Sequence, residues 1–205
     1  MPIVARYAEE VMGKEGFRYA SAVVATCKML ALELEGQEDN TETIDTEALV
    51  IAGYLHDIST IEYGFHDHHL KSAEKAVEYL QKLEVPTERI NTVEQAIRAH
   101  TTVFPVEQRS SIPIEGRILY DADKLGRLSG LAVVTSLIEF GARYPNRSVT
   151  GDVLTAILRH IEERFVELYQ SLNTTPAREM AREKFGNTLA FLDGIIEHLS
   201  DATPV

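Results

Sequence analysis

The step His56-Asp57 closes an apolar helical run, Ala48-Leu49-Val50-Ile51-Ala52-Gly53-Tyr54-Leu55, and three later stretches bring more of the same side-chain chemistry. These are His66, His68 and His69, then His100 at the end of Val93-Glu94-Gln95-Ala96-Ile97-Arg98-Ala99-His100, then Asp121 and Asp123 inside Leu119-Tyr120-Asp121-Ala122-Asp123-Lys124-Leu125. Imidazole and carboxylate are the side chains that bind divalent first-row metals. A buried His-Asp step is costly unless something pairs it, and one ion satisfies both residues at once. The plainer reading of the pair alone is a half-buried histidine beside a solvated or helix-capping aspartate.

The remaining candidates are weighed by position. His69 opens an amphipathic run with small residues on one face, which favours it as a ligand, whereas His66 and His68 read as a solvated loop. A histidine in a last helical turn, such as His100, also complements the helix dipole. Asp121 and Asp123 sit two residues apart and face different directions, so one is expected at the metal and the other as a cap or as a partner orienting a ligand histidine. Asp123 is chosen for the metal because Lys124 follows it and, as a point charge, suits a substrate phosphate. Arg98 is a second candidate for stabilising phosphate charge; its plainer reading is an exposed surface cation.

The elements that must position these residues are helical throughout. Apolar spacing of three and four recurs, as in Ala20, Val23, Val24, Cys27, Leu30, Ala31 and Leu34, and no strand pattern emerges. The expected helices cover about 2–13, 18–35, 45–57, 69–83, a broken pair across 86–100, then 115–124, 127–143, 150–171 and 175–199. Thr175 is the expected N-cap before Pro176. The fold class is therefore all-α.

A chain of 205 residues, 44% apolar, is long enough for one substantial core, and residues 1–205 are read as one domain. The last two helices, 150–199, are expected to pack as a lid, a buttress or a homodimer face. The net charge of −12 argues against a broad nucleic-acid surface, so any phosphate ligand needs a local site. One cysteine, Cys27, excludes a disulfide framework and a thiolate zinc site. The absence of a signal-like or membrane-spanning apolar stretch gives a cytoplasmic expectation.

In this order, the His-Asp step after Ala-Gly-Tyr-Leu, His69 before Ser-Ala, Ala-Ile-Arg-Ala-His-Thr-Thr at His100 and Leu-Tyr-Asp-Ala-Asp-Lys-Leu at Asp123 resemble the HD-domain superfamily of metal-dependent phosphohydrolases. The resemblance covers about residues 15–130, and the His100 segment looks most like the subgroup that includes dinuclear diadenosine tetraphosphate hydrolases. It implies a helical bundle with one or two divalent ions (Mn, Fe, Co, Ni, Zn or Mg) and hydrolysis of a nucleotide or another phosphate ester or anhydride.

By analogy with dinuclear members, His56, Asp57 and Asp123 hold one ion, and Asp57, His69 and His100 the other. Catalytic roles then fall to Asp57, Lys124 and Arg98. Tyr19, His68 and Asp121 remain further metal or substrate contacts.

One departure stands out. The family's first ligand histidine falls on Tyr19, a poor ligand while its phenol stays neutral at a usual pKa of about 10. The usual Gly-Lys after the His-Asp step is also replaced, by Ser59-Thr60. Two rivals follow: a degenerate HD domain that binds a nucleotide or partner without turnover, and a di-iron oxygenase of the same fold.

Overall fold

The structure, a computed structural model, describes residues 2–37, 41–101, 111–128, 130–146 and 150–201, and among them only helices form, with no strand. Their order is α1 (Pro2–Glu35), α2 (Thr46–Leu55), α3 (Thr60–Tyr63), α4 (His68–Lys82), α5 (Thr87–Ala99), α6 (Ile114–Arg127), α7 (Gly130–Arg143), α8 (Gly151–Ser171) and α9 (Thr175–Asp201). The chain divides into two compact units, Met1–Asp123 and Lys124–Val205.

In the first unit α2 is the central element. Ala48 to Gly53 and Leu55 are buried without a polar face, which is the pattern of a helix surrounded by others. It packs against α1, α4 and α5. Gly53 permits the closest of these approaches, since a Cβ there would lie 2.8 Å from Val24 Cγ2 of α1. α1 itself bends at Gly13 (φ 69°), which a side chain would resist.

The far end of α2 is clamped by polar contacts. Asp45 caps it, Oδ1 accepting from the Ala48 amide at 2.9 Å, while Arg89 of α5 donates from Nε to Asp45 Oδ2 at 2.9 Å. The Asp45 amide in turn donates to Glu115 Oε1 of α6 at 2.7 Å. These contacts leave the C-terminal end of α2, with His56 and Asp57, as the end where α4, α5 and α6 bring their polar residues.

Several expected boundaries change, the helices expected at 2–13 and 18–35 being joined as α1 across the bend at Gly13. The segment 86–100 is one helix, because Pro86 precedes it and the polar residues Asn91 and Thr92 lie on its outer side instead of breaking it. α3, a single turn, was not expected at all.

In the second unit α8 and α9 pack together, with Tyr169 stacked on Phe185 at 4.4 Å between ring centroids. Leu158, Ile161, Phe165, Ala177, Ala181 and Leu192 are buried. The N-cap contact of α9 comes from Thr174, whose Oγ1 accepts from the Ala177 amide at 3.4 Å, and not from Thr175, which is already helical. No single helix among the described residues is long and apolar enough to cross a membrane.

Candidate metal centre

Three imidazoles are oriented by the same local device. His56 Nδ1 donates to Gly53 O at 2.9 Å, His68 Nδ1 to Phe65 O at 2.7 Å, and His100 Nδ1 to Ile97 O at 2.5 Å, each a carbonyl three residues back. With the Nδ1 proton committed, each neutral ring presents an Nε2 lone pair, which is the ligand form.

Those lone pairs converge on Asp57. His56 Nε2 lies 3.4 Å from Asp57 Oδ2, while His68 Nε2 and His100 Nε2 lie 3.5 and 3.6 Å from Asp57 Oδ1. His68 Nε2 and His100 Nε2 are only 3.2 Å apart. Two acceptor lone pairs and a carboxylate oxygen at such spacing repel unless a cation or a proton lies among them. Around a tetrahedral ion with donors at about 2.1 Å, neighbouring donors are about 3.4 Å apart, which matches these separations.

Burial sharpens the requirement. His56 and His100 are 0% and 1% exposed, and His56 Nε2 and Asp57 Oδ1 have no hydrogen-bond partner among the described residues. The donor atoms of His56, Asp57 and His100 all lie within 4.8 Å of one another. Burial alone would raise the Asp57 carboxyl, but the adjacent His56 and His100 hold it well below the usual carboxylate range. Burial would likewise lower His56, yet the Asp57 charge raises it, whereas burial prevails at His100 and lowers it. The donor set therefore fits a divalent ion, with an ionised carboxylate among imidazoles.

His68 enters this set where His69 was expected. Adjacent helical residues diverge by about 100°, so only one of the two faces the cluster. The choice is made by Ser59, which replaces the usual residue after the His-Asp-Ile step. Its Oγ donates to His68 O at 3.1 Å and contacts Ser72 Oγ at 2.9 Å, and its amide donates to Ser72 Oγ at 3.1 Å. That anchor sets the first turn of α4 beside Asp57 with His68 inward. His69 is half-buried, its pKa lowered by burial and then by His68, with Arg98 a smaller contributor. A fold-level contact, absent from any helical periodicity, decided between them; the one sequence signal was Ser72, four residues after His68 on the same face.

Tyr19 of α1 donates its hydroxyl to Asp123 Oδ1 of α6, so Tyr19 meets the carboxylate expected to share its ion. Asp121 is fully buried and engaged, and the buried Cys27 thiol is pushed up by its burial and then by the charges of Asp123 and Asp121. Arg98 pairs with Glu94, Nε to Oε1 at 2.9 Å. Lys124 is buried in α6, as the first residue of the second unit, and so is not an exposed surface cation. His66 is exposed and pairs with Asp67 at 2.9 Å.

A family model of the HD domain matches residues 20–128, more than half of the chain. The chain belongs to the HD-domain family. The match includes the His56-Asp57 step and begins one residue after Tyr19.

Solved structures with the same fold include the Lin1889 protein of Listeria innocua, at 17% identity over 98% of each chain with a TM-score of 0.70. An HD-superfamily hydrolase of Bacillus thuringiensis is 18% identical over 98% of this chain and 97% of its own, with a TM-score of 0.70. YpgQ of Bacillus subtilis, solved in complex with ADP, is 17% identical over 96% of this chain and 93% of its own, again with a TM-score of 0.70. At these identities the likeness is one of fold. No curated protein matches the chain.

Proposed function

We propose that this HD-domain protein is a metal-dependent phosphohydrolase acting on a nucleotide or another phosphate ester or anhydride. The observation that supports it most is the convergence of the Nε2 atoms of His56, His68 and His100 on one buried carboxylate, Asp57. Asp57, His68 and His100 would hold the ion, with His56 beside the other oxygen of Asp57. A divalent ion bound there supplies Lewis acidity, which makes water nucleophilic near neutral pH and draws phosphate oxygens toward it.

The protein's own part is to hold the donors in place before substrate arrives. The backbone carbonyls of Gly53, Phe65 and Ile97 fix the three rings, and the Ser59–Ser72 contacts fix the helix that presents His68. Arg98 is the proposed phosphate partner near His69. Its pairing with Glu94 is a half-exposed i,i+4 contact worth about 0.3–0.5 kcal/mol, so a phosphate can displace Glu94 at little cost. The ADP bound to YpgQ makes a nucleoside diphosphate the first substrate to try.

The test is phosphate release from ADP and a panel of nucleotides and phosphate esters by manganese-replete protein. Turnover should fall by at least about 100-fold in Asp57→Ala, as for loss of a group that positions the reacting centre. A second reading, nucleotide binding without turnover, is favoured by one observation, the Tyr19 hydroxyl spent on Asp123. Tight ADP binding with no phosphate release from metal-replete protein would select it.

A further inference from the structure

The donors around Asp57 are not evenly shared between its two oxygens. On one side Asp57 Oδ1, His68 Nε2 and His100 Nε2 form a triangle with edges of 3.5, 3.6 and 3.2 Å. Three such donors are a full protein ligand set for an ion that keeps a position open for water and substrate. On the other side Asp57 Oδ2 faces His56 Nε2 at 3.4 Å. Asp123 accepts the Tyr19 hydroxyl and is not among the close donors His56, Asp57 and His100.

We propose that this chain binds a single ion, on the face formed by Asp57, His68 and His100, and that Tyr19 keeps the His56 side from completing a second site. The proposal rests on reading the cluster as a metal centre and adds which side of Asp57 is used. Its physical basis is the Tyr19–Asp123 hydrogen bond. A carboxylate oxygen that accepts a phenol proton has less electron density to give an ion, and giving up that bond is costly in a site where Asp123 is only 1% exposed. The phenol cannot take its place, because a neutral hydroxyl with a usual pKa of about 10 is a weak ligand. Tyr19 thus acts as a positioning residue, through Asp123, and His56 faces the oxygen of Asp57 turned away from the ion.

The experiment counts ions. Wild-type protein freed of metal is dialysed against manganese(II), and bound manganese per chain is measured together with its electron paramagnetic resonance spectrum. One ion per chain with an uncoupled signal is expected. His100→Ala should bind manganese at least about tenfold more weakly, since it removes a corner of the triangle. Tyr19→His releases Asp123 and adds an imidazole on the His56 side, so it should bind two ions with a spin-coupled signal.

Tyr19 is 38% exposed, so the exchange leaves the buried core intact, and its melting temperature without metal checks that. Two ions in the wild type, a tight ion surviving in His100→Ala, or a single uncoupled ion in Tyr19→His would each overturn the proposal. So would a wild type that binds none. Because no hydrolysis is read, one ion without turnover would overturn the phosphohydrolase reading and leave this one standing.

Discussion

A metal-binding histidine is useful only when its ring is held with one nitrogen committed and the other free, and three side chains here meet that condition around Asp57. His69 does not. Its ring lies beside His68, 5.7 Å between centroids, but no contact joins it to Asp57 or His100. His68→Ala should therefore lower metal affinity by about 10- to 100-fold, a change of the size seen when a metal's coordination environment is disrupted. His69→Ala should leave it unchanged, as should His198→Ala on the exposed side of α9. Metal content after dialysis against a fixed free manganese concentration, measured for all three variants, decides the assignment; equal loss in His68→Ala and His69→Ala would show that the first turn of α4 is not held as described. His56 and Asp57 stood out in the sequence because they close an apolar helical run, and His100 because it ends an amphipathic one. His68 did not, because its inward orientation depends on Asp67 adopting a left-handed backbone (φ 53°) just before the helix and on Ser59, nine residues away.

The helices matter through how their ends are tied. Ser59 is fully buried and joins the end of the His-Asp segment to α4 by three contacts, so Ser59→Ala removes the hydroxyl's contacts to the His68 carbonyl and Ser72 Oγ and keeps only the amide's bond to Ser72 Oγ. A cost of about 1–3 kcal/mol is expected, read by denaturant unfolding, together with weaker metal binding; lost stability with unchanged metal affinity would mean the anchor does not govern His68. At the other end of α2, Asp45 caps the helix and takes the Arg89 guanidinium. Burial would raise its carboxyl, but Arg89 and the Ala48 amide outweigh that and lower it from 3.8. A folded-state pKa below the unfolded one means that the stabilisation is complete above 3.8 and is lost as pH falls through the folded value. Asp45→Ala should thus cost about 1 kcal/mol at neutral pH, as for other lost caps, and the gap from wild type in melting temperature should close in acid. A gap that persists unchanged to about pH 2 would refute the charge-based part of this account. Helix α2 was legible because its run is apolar on every side. The Glu115 to Asp45 contact, 70 residues apart in sequence, and the single turn of α3 were not, since tertiary partners create them.

At the scale of the whole molecule the charge runs against the proposed substrate. The chain has a net charge of −12, and a nucleotide is itself an anion, so the two repel at long range until the local site takes over. Salt screens that repulsion, with the Debye length shrinking from about 30 Å at 0.01 M to about 8 Å at 0.15 M, while contacts inside the buried cluster are little affected. For a phosphohydrolase of this kind kcat/KM should rise modestly, up to a few-fold, as potassium chloride is raised through that range, and kcat should stay level. A protein that works on nucleic acid behaves in the opposite way, because neutralised backbone phosphates release counterions and affinity falls steeply with salt. Initial rates on ADP across the series separate the two. A steep fall in kcat/KM would mean that a local cationic surface outweighs the net charge and would turn the search for substrate toward polymeric phosphates.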